Sequence, residues 1–480
     1  MKLMIILCST YILALPAINI IESRKTIMLG GAVLVGSIIL YCNLQSATPN
    51  TDAISSDVSC TSTSGSGSYS DRGGRANFVS GSKDSDLSEN DEEYSTSNLA
   101  GISYSYSGVT DTSNIDARGW KPLHIAVVEN KINMVRLLLD SNNDSVNLLD
   151  KDGKTPLHLA AQYGCVGIAK LLLEKGAKIN ATDNQYCAPL HCAAVNNRKK
   201  SVELLLSNGA KIEAKDKYNR TALHYAVNYG RVDVVKSLLK NRAKLDTAGK
   251  INGWTPLHCA AVNGKVEIAG LLLDKGANIN AEDICNQTPL HVAACYINNT
   301  EVVKLLLKQK RIKIDQKDRN GKTPLHIAAV YGRAVVARLL LEKRADTSVT
   351  DDNDRTPLHL AAVNGDAEGV KALLDKTGEI NKQDKYGLTP LHLAARSNRI
   401  EVVELLLEHG VDTEVVDEHR MTPLHVAAIH DRAAVVQLLL ENRADVEVRN
   451  NDGHTAKDLA ERVGRSDVVA MLERHAAAKK

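Results

Sequence analysis

One tetrapeptide returns at nearly constant spacing through most of this chain. It stands as Lys121-Pro122-Leu123-His124, Thr155-Pro156-Leu157-His158, Ala188-Pro189-Leu190-His191, Thr221-Ala222-Leu223-His224 and Thr255-Pro256-Leu257-His258. It continues as Thr288-Pro289-Leu290-His291, Thr323-Pro324-Leu325-His326, Thr356-Pro357-Leu358-His359, Thr389-Pro390-Leu391-His392 and Thr422-Pro423-Leu424-His425. Successive histidines lie 33 to 35 residues apart. A unit this short cannot enclose a core of its own, so neighbouring units must stack and share one.

The residue types within a unit predict its shape. Thr is a helix N-cap residue, and Pro at the next position has its φ preset for a first turn. A helix therefore starts at each motif. Alanine pairs follow, as in Ala160-Ala161, Ala260-Ala261, Ala293-Ala294 and Ala361-Ala362, small enough for neighbouring helices to approach closely. Next comes a residue able to adopt positive φ and end the helix: Gly164, Gly230, Gly264, Gly332, Gly365 and Gly464, or Asn130, Asn197, Asn398 and Asp431. A second helix then carries apolar runs such as Val302-Val303-Lys304-Leu305-Leu306-Leu307. Between units, segments like Asp150-Lys151-Asp152-Gly153-Lys154 supply hairpin turn residues.

In period and motif the chain resembles the ankyrin-repeat family over residues 117–480, and nine of its eleven prolines lie in the motif. The expected fold is an all-α repeat solenoid, with helix pairs joined by β-hairpin-like loops. The resemblance implies eleven repeats. The last departs from the pattern as Thr455-Ala456-Lys457-Asp458-Leu459-Ala460, the polar outer face expected of a C-terminal cap. It also implies that the motif histidines hydrogen-bond to the preceding Thr and to neighbouring backbone. Adjacent helices about 8–10 Å apart cannot bring one histidine per layer to a shared metal, which needs ligands about 2 Å from the ion. In the family, hairpin tips and the inner face of the first helix bind partners. Carried over by position, that surface holds Trp120, Tyr163, Tyr218, Tyr229, Trp254, Tyr296, Tyr331 and Tyr386. Trp and Tyr are enriched at binding hot spots.

Composition agrees with thin helical layers, since Phe78 is the only Phe and there are two Trp in 480 residues. The nine cysteines include no Cys-x-x-Cys pair, which suggests neither a zinc site nor a disulfide framework. Cys192 and Cys259 follow motif histidines where other repeats place Leu, Ile, Val or Tyr, and read as small core hydrophobes.

Residues 1–44 form a separate segment, with two apolar stretches, 3–21 and 27–44, each long enough to span a membrane as a hydrophobic helix. Residues 45–116 are rich in Ser, Gly and Asp and read as a disordered linker. Charge differs along the chain: +2 over 1–44, −7 over 45–118 and +7 over the remainder. That last excess is modest for so long a surface, so no specific nucleic-acid partner is expected. A basic run at Lys304, Lys308, Lys310, Arg311, Lys313, Lys317, Arg319 and Lys322 reads as a solvated face or as a surface for an acidic partner or anionic lipid.

No His-Glu-x-x-His, Gly-x-Ser-x-Gly or phosphate-loop signature stands in a usable context, so neither catalysis, a cofactor, a metal nor a small-molecule substrate is expected. The expected function is a protein-binding scaffold or adaptor, tethered to a membrane through residues 3–44. Unpaired cysteines favour a repeat domain facing the cytosol. Two alternatives remain at this point: a secreted effector using residues 1–21 as an export signal, and a membrane pore or channel organised by the repeats.

Overall fold

The computed structural model describes residues 116–296 and 299–478. The apolar stretches and nearly all of the linker lie outside the described residues. Within them the chain forms 22 α-helices and one short 3-10 helix, with no strand. Each repeat contributes a pair, as in repeat five, where Pro256–Val262 is followed by Val266–Asp274. First helices pack on first helices of the adjoining repeats, and second helices on second. The architecture is a helix-pair solenoid.

The first helices start where the motif predicts. Pro at their first position follows a residue in extended conformation, for example Thr155 at φ −85° and ψ 165°. The alanine pairs do what their size allows: Ala160, Ala161, Ala260, Ala261, Ala293, Ala294, Ala361 and Ala362 are all fully buried. A longer side chain there would hold adjacent layers apart. The helices end at the ten residues singled out for positive φ, all of which adopt it, Gly164 at 80° and Asn130 at 55° among them. Repeat six ends its first helix differently, with Tyr296 extended at φ −106° and ψ 142°.

Second helices bury one face only. In Thr300–Leu307, Val302, Val303 and Leu306 are fully buried while Lys304 points to solvent. This alternation gives the stack a continuous apolar interior between two helix layers and a polar outer surface. Among the described residues, no helix is long and apolar enough to cross a membrane.

Candidate functional site

Each motif histidine ties two repeats together. Its Nδ1 accepts the backbone N–H of the residue three positions earlier at 3.0–3.2 Å. A backbone N–H can only donate, so Nδ1 carries no proton and Nε2 does. Nε2 donates to a carbonyl of the following finger at 3.0–3.3 Å. In repeats two to ten this acceptor directly precedes the next motif, as with His258 and Gln287. Both ring nitrogens are thus used by the fold. Burial pushes His124, His224, His258 and His326 down to about 4, which keeps them neutral.

The motif threonine behaves differently from a simple cap. Its Oγ1 lies 2.8–3.0 Å from the histidine Nδ1, whereas the first-turn amide contact, present at Thr323, Thr389 and Thr422, is 3.4–3.5 Å long. The hydroxyl mainly orients the ring. In repeat eleven Asp458 takes the histidine position: its carboxylate accepts the Thr455 N–H at 2.8 Å and the Thr455 hydroxyl accepts the Asp458 N–H at 3.2 Å. An aspartate keeps this local box but cannot reach a further finger.

A second tie joins the other end of the first helices. Arg198, Arg231, Arg333, Arg399, Arg432 and Arg465 each donate from Nε to a carbonyl at the end of the preceding repeat's first helix, at 2.9–3.3 Å. Those terminal carbonyls have no partner within their own helix. In repeat six Asn299 replaces Arg and donates to Ala261 and Val262 at 2.7 and 3.0 Å. Sequence reasoning overlooked these arginines. Their signal was present, because each directly follows the positive-φ residue, as in Asn197-Arg198 and Gly464-Arg465.

The fingers are built on buried aspartates. Asp216 Oδ1 accepts the backbone N–H of Tyr218 and of Arg220, both at 2.8 Å, and Asp183 and Asp283 do the same in their own fingers. Both tryptophans attach to the same framework. The indole of Trp120 donates to Asp150 at 3.2 Å and that of Trp254 to Asp283 at 3.1 Å. Burial holds both carboxyls above their ordinary value, against the lowering effect of hydrogen bonds from their own fingers' backbone and, at Asp283, from the Trp254 indole.

The eight expected surface aromatics divide accordingly. Trp120 is only 8% exposed and lies under the Arg118 guanidinium, 3.5 Å from the ring centroid, so it offers little area. Trp254, Tyr218, Tyr229, Tyr296 and Tyr331 are half-buried. Tyr163 and Tyr386 are exposed. Lys217 and Arg220 stand over the Tyr218 ring at 4.7 and 4.9 Å, and Arg231 over Tyr229 at 5.9 Å. Three further apolar side chains, not anticipated, lie exposed at finger tips: Tyr186, Ile251 and Ile284.

Tyr225 turns inward instead. Its hydroxyl donates to Asp216 Oδ2 at 2.8 Å and accepts from Arg220 at 2.9 Å, closing a buried polar cluster. Cys187 Sγ lies 3.6 Å from the same hydroxyl. The six described cysteines are free thiols, and burial pushes Cys259 up to about 12, where it is protonated and inert. Among the described residues, no group of three or more His, Cys, Asp or Glu could hold a metal ion.

Stacked helix pairs tied by buried histidines, with polar fingers projecting from one end of each pair, define a repeat-built scaffold. Family models described as ankyrin repeats match overlapping segments at 102–183, 145–216, 190–283, 280–351 and 344–417, and a further one matches 406–460. The chain belongs to the ankyrin-repeat family. It is 39% identical over 69 residues to human ankyrin repeat and SOCS box protein 3, covering 14% of this chain and 13% of the relative. It is 34% identical over 113 residues to the Neurospora crassa ankyrin repeat protein nuc-2, covering 17% and 11%. Ankyrin repeat domain-containing protein 49 of Drosophila melanogaster is 53% identical over 49 residues, covering 10% and 23%. The chain therefore spans only a small part of the length of these relatives.

Proposed function

We propose that this protein is a scaffold that binds another protein along the finger tips and first-helix ends, at Tyr163, Tyr218, Tyr229, Trp254, Tyr296, Tyr331 and Tyr386. Ankyrin repeats are generally protein-interaction modules. The observation that carries the reading is a division of labour. All ten motif histidines are engaged in holding the stack, whereas the side chains of Tyr163 and Tyr386 are left 38% and 41% exposed and take no part in the histidine or arginine ties. Exposed aromatics on a rigid frame bind with little loss of entropy, since the frame is already ordered. Binding, without catalysis by this chain, is the activity these side chains fit.

A photo-cross-linking residue placed at Tyr229 or Tyr386 tests this. It should capture a discrete protein in cells, while the same residue at Lys170, exposed on a second helix, should not. Equal capture from both positions, or capture only from Lys170, would move the interface to the outer layer.

The apolar stretches 3–21 and 27–44 support a membrane tether, and the free thiols support a repeat domain facing the cytosol. Resistance to alkaline extraction, with the repeats protected from protease in sealed vesicles, is the expected result. Digestion of the repeats in unopened vesicles would place them on the other side.

A further inference from the structure

The tips of fingers three to seven form one connected strip. Lys217 N–H bonds to the Gln185 carbonyl at 3.0 Å, Lys250 to Tyr218 at 2.7 Å, Ile284 to Asn252 at 3.1 Å and Arg319 to Cys285 at 2.8 Å. Each finger is thus registered on the one before it, and side chains at equivalent tip positions become neighbours. Along this strip Tyr186 and Ile251 are each 61% exposed and Ile284 is 52% exposed, with Tyr218 half-buried among them.

Tyr186 is the telling residue. Its φ is +60°, at a tip position held in the other fingers by Gly or Asn except for Asp354 and Arg420. For a bulky aromatic the left-handed region costs about 1 kcal/mol or more, a cost that Gly or Asn largely avoids. The ring recovers little of this by burial, because most of it faces solvent. A strained backbone that carries an exposed aromatic points to a role outside folding.

Charge along the strip has one sign. Lys250 and Arg319 are exposed, and Lys217 is half-buried. The finger aspartates Asp183, Asp216 and Asp283 are buried, accepting backbone N–H groups of their own fingers. Of the exposed carboxylates nearby, Asp246 accepts the Asn278 N–H at 2.9 Å and Glu282 accepts from the Gln316 amide at 2.9 Å. The strip ends at finger eight, where Asp352 and Asp354 are exposed. We infer that fingers three to seven dock an acidic protein segment carrying large apolar side chains, its carboxylates meeting Lys217, Lys250 and Arg319 and its apolar groups covering Tyr186, Ile251 and Ile284. This rests on the scaffold reading and narrows it to one region and one partner chemistry. Opposite charge steers the encounter, and the apolar contacts hold the complex.

The test is selection of short random peptides on the full-length protein, followed by affinity measurement at low and high salt. Selected peptides should be rich in Asp and Glu together with Leu, Phe, Tyr or Trp, and should weaken as salt rises. The triple variant Y186A/I251A/I284A and the charge-reversed K217E/K250E/R319E should each bind them about tenfold or more weakly. All six side chains project from finger tips, and circular dichroism and melting of both variants should match the parent. Recovery of basic or neutral peptides, absence of any selected peptide, or binding by either variant as tight as the parent's would overturn the inference. The scaffold reading would survive those outcomes if cross-linking at Tyr229 or Tyr386 still captured a protein, and would fall with it if it did not.

Discussion

His258 reaches out of its own repeat: its Nε2 lies 3.0 Å from the carbonyl oxygen of Gln287, while its Nδ1 holds the Thr255 N–H at 3.2 Å. One neutral ring thus fixes the start of its own helix and the base of the next finger. The finger surface inherits its rigidity from such contacts, so disturbing them should loosen the surface before it unfolds the stack.

His258→Ala removes both bonds and leaves a buried N–H and a carbonyl without partners. A loss of about 2–4 kcal/mol is expected. Because repeat arrays need not unfold in one step, local hydrogen exchange is the appropriate measurement. Exchange should accelerate around Thr255 and in the finger at Asp283 to Gln287, and stay unchanged in distant repeats. Uniform or absent acceleration would contradict the tie.

Arg399→Ala should cost about 1 kcal/mol by freeing the Val363 carbonyl, which Arg399 Nε meets at 3.0 Å. Arg399→Lys should not recover it, because an ammonium lacks the planar fork and its fixed direction. Urea unfolding midpoints compare the three proteins. Full recovery by Lys would assign the effect to charge alone.

Tyr225→Phe preserves the ring, which stands edge-on to His191 with centroids 5.6 Å apart, and deletes the hydroxyl between Asp216 and Arg220. A destabilisation of about 1–2 kcal/mol is expected, visible as a lower melting temperature. Equal stability would mean that the Asp216 to Arg220 pair, 2.8 Å apart, is sufficient without it.

Acid should weaken the fold in a defined window. His124, His224, His258 and His326 titrate near 6.5 when unfolded and are pushed by burial to about 4 when folded. The unfolded chain therefore binds more protons between these values. The stability these rings provide is complete above about pH 6.5 and is lost as pH falls toward about 4, at roughly 1.4 kcal/mol per unit for each group. Melting temperature should be flat above neutrality and fall below pH 6.5. A maximum near pH 5 would contradict neutral, buried rings.

Much of this architecture was legible in the sequence because it repeats. Ten copies of the motif average out local ambiguity, and the Thr-Pro start, the alanine pairs and the positive-φ residues each have one physical meaning. The partner of the histidine Nε2 was less accessible, since it lies 24 to 31 residues away and depends on how repeats stack. The arginine ties were missed because Arg near a helix start reads as a solvated charge until the preceding helix end is seen beneath it. The tip residues Tyr186, Ile251 and Ile284 escaped for another reason. Only the folded fingers show that Tyr186 carries a largely exposed ring on a positive-φ tip position, and that Trp120, expected outside, lies folded under Arg118.

The scaffold reading stands or falls on one comparison: the affinity of the cross-linked partner, once purified, for the parent protein and for the variant in which the exposed Tyr163 and Tyr386 are both replaced by Ala. The account predicts a loss of several kcal/mol in binding, given that hot-spot truncations cost about 2 kcal/mol or more each, with little change in melting temperature. Unchanged affinity in a variant that melts like the parent would contradict it and place the interface elsewhere on the repeats.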